Sequence, residues 1–202
     1  MFKNQISLKL PKIIVICGFP GTGKTTLART LIESLGKFNE YYDYHSTMEF
    51  RRDQNHKRFK NLKNNEIRGF YAFCKLSLSI GKGIILDSVF RERHTVYKYF
   101  YEYLIQKGML IINCVCPEEV AIQRIKSRPK NDGLVSSPRN PKIYRKYQNQ
   151  WTPVQKDFVL HSEKHGGKIK MSYLIFDTVA LGMKEAYVLP AHSDIMKFFQ
   201  TV

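Results

Sequence analysis

Short runs of strand-forming residues alternate along the chain with longer segments in which apolar residues recur at helical spacing. The runs predict five strands, four apolar and one rich in aromatic residues, at 12–17, 40–45, 84–87, 109–116 and 171–177. The helical spacing predicts helices at 26–36, 48–79, 91–106, 118–128, 144–160 (interrupted near 151–153) and 193–200. Strands that alternate with helices favour a parallel sheet covered by helices on both faces. The pattern therefore predicts an α/β fold.

The octapeptide between the first strand and the first helix matches the phosphate-binding loop pattern G-x-x-x-x-G-K-[ST]. It consists of Gly18, Phe19, Pro20, Gly21, Thr22, Gly23, Lys24 and Thr25, and Thr26 follows it. Glycines let the backbone curl so that N–H groups point at phosphate oxygens, and the following helix offers its free N–H groups. We expect Lys24 to reach the β- and γ-phosphates and the Thr25 hydroxyl to bind Mg²⁺. The octapeptide predicts binding of a nucleoside triphosphate.

Three further groups of residues suggest chemistry, each with a plainer alternative. Asp87 ends an apolar strand, where it would orient Mg²⁺ or its waters, or would instead cap the next helix. Arg124 and Arg128 lie four residues apart, which suits a clamp on phosphate charge or a solvent-exposed helix face. Glu49 and Arg52 lie one helical turn apart, which suits a general base with a phosphate contact or a surface ion pair.

The composition is that of a single globular domain with a strong positive charge. The chain has 202 residues, a net charge of +16 and no apolar run as long as a membrane span. Its four cysteines lack metal-site spacing, so we expect reduced, buried structural thiols in a cytosolic (cytoplasmic) protein. The basic residues concentrate at 51–63 and 122–146. This concentration indicates a polyanionic partner such as nucleic acid, or else a lysine-rich composition bias.

The loop at 18–25, the strand that ends at Asp87 and the segment from Cys116 to Arg128 together resemble P-loop kinases. The similarity is to the group that includes polynucleotide 5′-kinases, with zeta-toxin-like and small-molecule kinases as relatives. It spans most of 12–177. The resemblance implies one domain over 1–202 with a three-layer P-loop NTPase fold, a five-stranded parallel sheet and a helical lid near 124–139. That lid would carry the arginines.

The same resemblance implies an Asp-x-x-Arg motif after the second strand, whose aspartate acts as the base for the acceptor hydroxyl. In one register Met48 and Arg51 occupy these positions, and the base is lost. In the neighbouring register Glu49 and Arg52 preserve the chemistry, and Asp43 is a third candidate for the base. We expect Arg51 and Arg52 to contact the acceptor.

These observations predict an ATP- and Mg²⁺-dependent kinase, with a hydroxyl group as acceptor. The basic surface favours a nucleic-acid 5′-hydroxyl at an RNA or DNA end. One alternative is a small acceptor such as a sugar or a nucleotide. Another is a nucleotide-binding regulatory module without transferase activity, although the chain lacks the Asn-Lys-x-Asp motif for guanine.

Overall fold

The computed structural model describes residues 10–34, 42–47, 50, 63–90, 93–128, 140–157, 159, 166 and 168–199. Its strands are β1 (Ile13–Cys17), β2 (Tyr42–Ser46), β3 (Gly83–Asp87), β4 (Met109–Val115), β5 (Met171–Asp177) and β6 (Gly182–Tyr187). Its α-helices are α1 (Lys24–Ser34), α2 (Lys63–Ser79), α3 (His94–Gln106), α4 (Glu118–Lys126), α5 (Lys142–Gln148) and α6 (Met196–Phe199). A 3₁₀-helix, Pro190–Ile195, leads directly into α6.

The strands form one sheet in the order β2-β3-β1-β4-β5-β6. The first five strands of this order are parallel, and β6 runs antiparallel to β5. In the register, Asp87 at the end of β3 lies beside Ile16 of β1 and Ser46 of β2. The carboxyl ends of these three strands therefore meet at one edge of the sheet, where parallel α/β proteins place their ligands.

Helices cover both faces of the sheet, as the alternation of strands and helices predicted. On one face, Ile13 belongs to a buried cluster with Phe70 of α2 and Phe100 of α3. On the other face, Ile14 belongs to a cluster with Leu27 of α1 and with α6. Burial of each such side chain stabilises the fold by about 1.5–3 kcal/mol. All five residues of β1 and of β3 are buried, which explains why these strands read as continuous runs.

The sheet has six strands, and the prediction of five missed β6. The residues of β6 are exposed apart from the partly buried Gly182, and they include Lys184 and Glu185. An edge strand with no buried face needs neither a continuous apolar run nor an alternation of apolar and polar residues. The two patterns that reveal strands in a sequence are therefore absent here. The five predicted strands are confirmed within one or two residues at the ends that the structure describes.

The helices occur where the sequence predicts them, but their ends and their exposed faces differ from the prediction. Of the predicted helix at 48–79, residues 63–79 are helical, while 48, 49 and 51–62 lie outside the described residues. Phe73 and Leu76 share the spacing that revealed α2, yet they are 53% and 60% exposed. The interruption at 151–153 is confirmed. No helix within the described ranges is both long and apolar enough to span a membrane.

All four cysteines carry free thiols, as predicted. Cys17, Cys74 and Cys114 are buried, whereas Cys116 is half-buried. Burial raises the pKa of the Cys17 thiol to about 11, although the charge of Arg93 opposes this rise. The buried thiols are therefore neutral at physiological pH and act as small apolar side chains.

Candidate active site

The phosphate-binding loop connects β1 to α1 at the carboxyl edge of the sheet. Gly21 and Gly23 have φ angles of 83° and 81°, a left-handed conformation that side chains disfavour. Their surroundings also leave little or no room for a side chain. A Cβ at Gly21 would clash with the carbonyl oxygen of Ala121 in α4, and one at Gly23 would lie 3.2 Å from Thr178. The loop is therefore wedged between α4 and the turn after β5.

The carbonyl oxygen of Phe19 organises the interior of the loop. It accepts hydrogen bonds from the backbone N–H of Thr22 at 3.3 Å and from its hydroxyl at 2.8 Å. It also accepts a hydrogen bond from Lys24 Nζ at 2.7 Å. The ammonium group of Lys24 therefore already points into the loop, where the phosphates of a nucleotide would lie.

The environment of Lys24 favours an anion beside it. Burial lowers the pKa of Lys24, the Asp87 carboxylate opposes this effect, and the nearby charge of Arg128 lowers the pKa further. A desolvated cation gains most from a charged partner because the local dielectric constant is low. A bound phosphate would supply that partner, together with the free N–H groups at the start of α1.

Thr25 and Asp87 lie in contact across the loop. Thr25 Oγ1 donates a hydrogen bond to Asp87 Oδ2 at 2.7 Å, and Asp87 is only 3% exposed. A hydroxyl and a carboxylate are oxygen donors of the kind that Mg²⁺ prefers, with nucleotide phosphates and water completing its shell. The pair therefore fits the predicted Mg²⁺ site, and Asp87 does not act as a helix cap within the described residues.

Arg124 and Arg128 both lie near the loop, although they do not share a helix. Arg124 Nη1 donates to the carbonyl oxygen of Gly21 at 3.3 Å and to Thr178 Oγ1 at 3.2 Å. The helix α4 ends at Lys126, two residues before the predicted end, so Arg128 follows it. Its charge nevertheless reaches Lys24. Residues 129–139 of the expected lid lie outside the described residues.

The structure does not bring Asp43 to the loop. Asp43 lies three residues before the end of β2, in register with Ile84 near the start of β3. At about 3.3 Å per residue it is about 10 Å from the edge that carries Asp87. It forms an ion pair with Lys82 at 2.7 Å.

The acidity of Asp43 also makes it a weak base. Burial raises the pKa of its carboxyl, but hydrogen bonds from Lys82 and Ser77 outweigh burial and leave the pKa below its usual value. The other acceptor-side candidates, Glu49, Arg51 and Arg52, lie outside the described residues.

Sequence reasoning missed two aromatic side chains that pack against the loop from outside. The ring of Phe19 packs edge-to-face on the ring of Tyr144 in α5 and on that of Trp151. The distances between ring centroids are 5.1 Å and 4.9 Å. Such pairs contribute about 0.5–1.5 kcal/mol beyond the area that they bury. The segment that follows residue 140 therefore supports the phosphate-binding loop.

Arg93 is a further residue that sequence reasoning missed, and it holds residues 151–157 in place. It is 1% exposed, and its guanidinium bonds to the carboxylate of Asp157 and to the carbonyl oxygen of Thr152. It also donates to the carbonyl oxygen of Phe90 at 3.2 Å, and Trp151 lies 5.0 Å from it. Arg93 thus joins the segment that follows β3 to residues 151–157. A basic residue within a run of charged residues gave no sign of this burial.

Tyr44, which sequence reasoning also missed, contacts Asp87 at the predicted Mg²⁺ site. Its hydroxyl donates a hydrogen bond to Asp87 Oδ2 at 2.9 Å. Because side chains alternate along a strand, Tyr44 and Ser46 point to one face while His45 points to the other. The sequence contained this signal, but only the pairing of β2 with β3 shows that the face is that of Asp87.

Comparison with solved structures shows the same fold in several proteins. A sugar kinase from Janibacter sp. HTCC2649 is 14% identical, with 93% of this chain and 92% of that chain covered and a TM-score of 0.53. Kti12 from Chaetomium thermophilum, solved with ADP-AlF3, is 21% identical, with 70% and 80% covered and a TM-score of 0.52. A chain of the PezAT toxin–antitoxin system from Streptococcus pneumoniae is 14% identical, with 99% and 82% covered and a TM-score of 0.59.

At these identities the likeness concerns the fold alone, and it confirms the predicted three-layer α/β architecture. No curated protein sequence matches the chain. The family described as "AAA domain" matches residues 14–145, which is more than half of the chain and includes the phosphate-binding loop, Asp87 and both arginines. The chain therefore belongs to this AAA-domain family and carries its phosphate-binding loop on a P-loop NTPase fold.

Proposed function

We propose that this protein is a kinase that transfers the γ-phosphate of ATP to a hydroxyl group. The observation that carries the proposal is the assembly of Lys24, Thr25 and Asp87 at the carboxyl edge of the parallel sheet. Phosphoryl transfer needs little covalent help from a protein. It depends on positioning and on stabilising the charge of the transferred group. The site supplies both through the phosphate-binding loop, Lys24 and two nearby arginines.

Each group has a role that follows from its position. The backbone N–H groups of the loop and of the first turn of α1 bind the phosphates, and Lys24 leaves the carbonyl oxygen of Phe19 to bind them too. Thr25 and Asp87 would hold Mg²⁺, which neutralises phosphate charge when it is bound. Arg124 and Arg128 stabilise charge on the transferred group, and we propose that they belong to a lid near 124–139 within a single domain.

For the acceptor, we favour a small molecule that carries a hydroxyl group. Enzymes described as a sugar kinase and a gluconokinase share the fold over more than nine-tenths of this chain. This support is an analogy at the level of the fold. The sequence alone favoured a nucleic-acid 5′-hydroxyl, and none of the relatives described above supports that acceptor. It remains the second candidate because of the net charge of +16.

The proton acceptor is the other open role on the acceptor side. We propose Glu49 for this role in preference to Asp43. Asp43 forms an ion pair with Lys82 and lies near the start of β2, away from the phosphate-binding loop. A structure with nucleotide and acceptor bound would test this choice directly. A carboxylate other than that of Glu49 beside the acceptor hydroxyl would contradict it.

An acceptor panel tests the function. The protein is incubated with radiolabelled ATP, Mg²⁺ and sugars, nucleosides, or RNA and DNA with 5′-hydroxyl ends, and labelled products are separated. We expect label on a small molecule. Label on nucleic-acid ends, lost steeply with added salt, would support the second candidate. Release of phosphate with no labelled acceptor would instead indicate the regulatory module.

The variant Lys24→Ala tests whether the loop performs the transfer. Removing the ammonium should lower kcat by at least about 100-fold, as loss of one donor to transition-state charge typically does. Its melting temperature should fall by no more than a few degrees, because the change removes the hydrogen bond from Lys24 Nζ to the carbonyl oxygen of Phe19 but also removes a buried ammonium group. Lys98→Ala, an exposed lysine in α3, is the control and should retain full activity. Full activity in Lys24→Ala would remove the basis of the proposal.

A further inference from the structure

The carboxylate of Asp87 is held by two hydroxyl groups from different elements. Thr25 Oγ1 at the start of α1 and the Tyr44 hydroxyl in β2 both donate to the same oxygen, Oδ2, at 2.7 Å and 2.9 Å. Asp87 is 3% exposed, so water has little access to replace either donor. The orientation of this carboxylate is therefore set by the protein.

Tyr44 is well placed for this task by the sheet itself. It lies beside Ile85 in the register of β2 with β3, two residues before Asp87, and its ring packs on the face of the sheet that α1 covers. A phenol is neutral at physiological pH and donates one directed hydrogen bond. It therefore restrains the carboxylate without adding a charge that would compete with a cation.

We propose that Tyr44 is a positioning residue that orients the Asp87 carboxylate toward Mg²⁺. This inference rests on the proposed function, because it takes Thr25 and Asp87 as the groups that hold the ion. A carboxylate at a metal site is itself oriented by hydrogen bonds, and loss of such a partner typically weakens metal affinity by about 10- to 100-fold. The Thr25 hydroxyl would also offer a lone pair to the metal, whereas the Tyr44 hydroxyl serves as a donor to Oδ2.

The chain offers a matched control in the same strand. Tyr42 lies two residues before Tyr44, on the same face of β2, and its hydroxyl donates to the carbonyl oxygen of Pro11. That contact is at the opposite edge of the sheet from Asp87. Tyr42→Phe therefore removes a comparable hydrogen bond without touching the site.

The experiment measures binding of a fluorescent ATP analogue as Mg²⁺ is titrated into the wild type, Tyr44→Phe and Tyr42→Phe. We expect the Mg²⁺ concentration at half-maximal effect to rise about tenfold or more in Tyr44→Phe and to stay within about twofold in Tyr42→Phe. Nucleotide affinity in EDTA should be equal in all three proteins. A role in folding alone would not move the Mg²⁺ dependence selectively.

Three results would overturn the inference. They are a Tyr44→Phe titration that superimposes on the wild type, nucleotide binding by the wild type that ignores Mg²⁺, and a Tyr44→Phe protein that fails to fold. The last would show that the hydroxyl is structural, because the ring is retained. Failure of the proposed function looks different. In that case Tyr44→Phe shifts the Mg²⁺ dependence, but the wild type phosphorylates no acceptor.

Discussion

The buried ion pair between Arg93 and Asp157 should stabilise both the fold and the phosphate-binding loop. Arg93→Met keeps an unbranched apolar chain of similar length but removes the guanidinium. Asp157 is a buried residue, only 8% exposed, and its carboxylate then loses its cationic partner. The carbonyl oxygens of Thr152 and Phe90 lose a donor as well.

Breaking a buried ion pair by removing one partner costs about 3–5 kcal/mol. We expect the lower end, about 3 kcal/mol, because Tyr97 still donates to Asp157 Oδ2 at 3.4 Å. For a chain of this size that corresponds to a fall in melting temperature of about 6–12 °C. Replacing both charges, as in Arg93→Met with Asp157→Leu, should recover part of the loss because no unpaired charge remains.

Urea denaturation followed by circular dichroism measures the free energies of unfolding, and heating followed by the same signal measures the melting temperatures. The control is Lys197→Met, which removes the exposed cation of the Lys197–Asp194 pair and should cost less than about 1 kcal/mol. Arg93→Met should also weaken nucleotide binding. Trp151 loses its contact with the Arg93 guanidinium and therefore packs less firmly on Phe19 in the loop. A cost below 1 kcal/mol for Arg93→Met would show that the buried pair is not what holds this segment.

Two further predictions concern the loop directly. Gly21→Ala should weaken nucleotide binding about tenfold or more, because the loop must move away from the backbone of Ala121 and about 1.4 kcal/mol suffices for that factor. Gly81→Ala, equally strained at φ 87° but with nothing within 4 Å, should leave affinity unchanged, and equal losses in both variants would refute the steric reason. The single tryptophan, Trp151, should change its fluorescence when nucleotide binds, since it contacts Phe19 in the loop. An unchanged emission spectrum at saturating nucleotide would contradict that coupling.

Much of the architecture could be predicted because the strands of a parallel sheet are buried on both faces. That burial makes β1, β3 and β4 visible as apolar runs, and the match of 18–25 to the loop pattern placed the phosphate site between the first strand and helix. The strand β6 was invisible for the opposite reason, since it has no buried face. The match to the AAA-domain family over residues 14–145 includes these same local signals.

Helical spacing revealed α2 but could not show which side of it faces the core. Phe70 is buried and Phe73 exposed, although both belong to the same apolar pattern. Spacing similarly suggested that Arg124 and Arg128 share a helix, whereas α4 ends between them and both still lie near the loop. Periodicity describes an element by itself, and the direction in which it faces depends on its neighbours.

The sequence by itself determined the phosphate-binding loop, the alternation of strands and helices, and the carboxylate that ends β3. These features depend on residues that are close together in the chain. Only the tertiary structure decided that Tyr44 reaches Asp87, that Asp43 lies about 10 Å from the site, and that Arg93 supports the loop through Trp151. Each of these facts concerns the relative position of residues distant in sequence. Strand register and packing decide which residues reach the carboxyl edge of the sheet, and no local pattern encodes them.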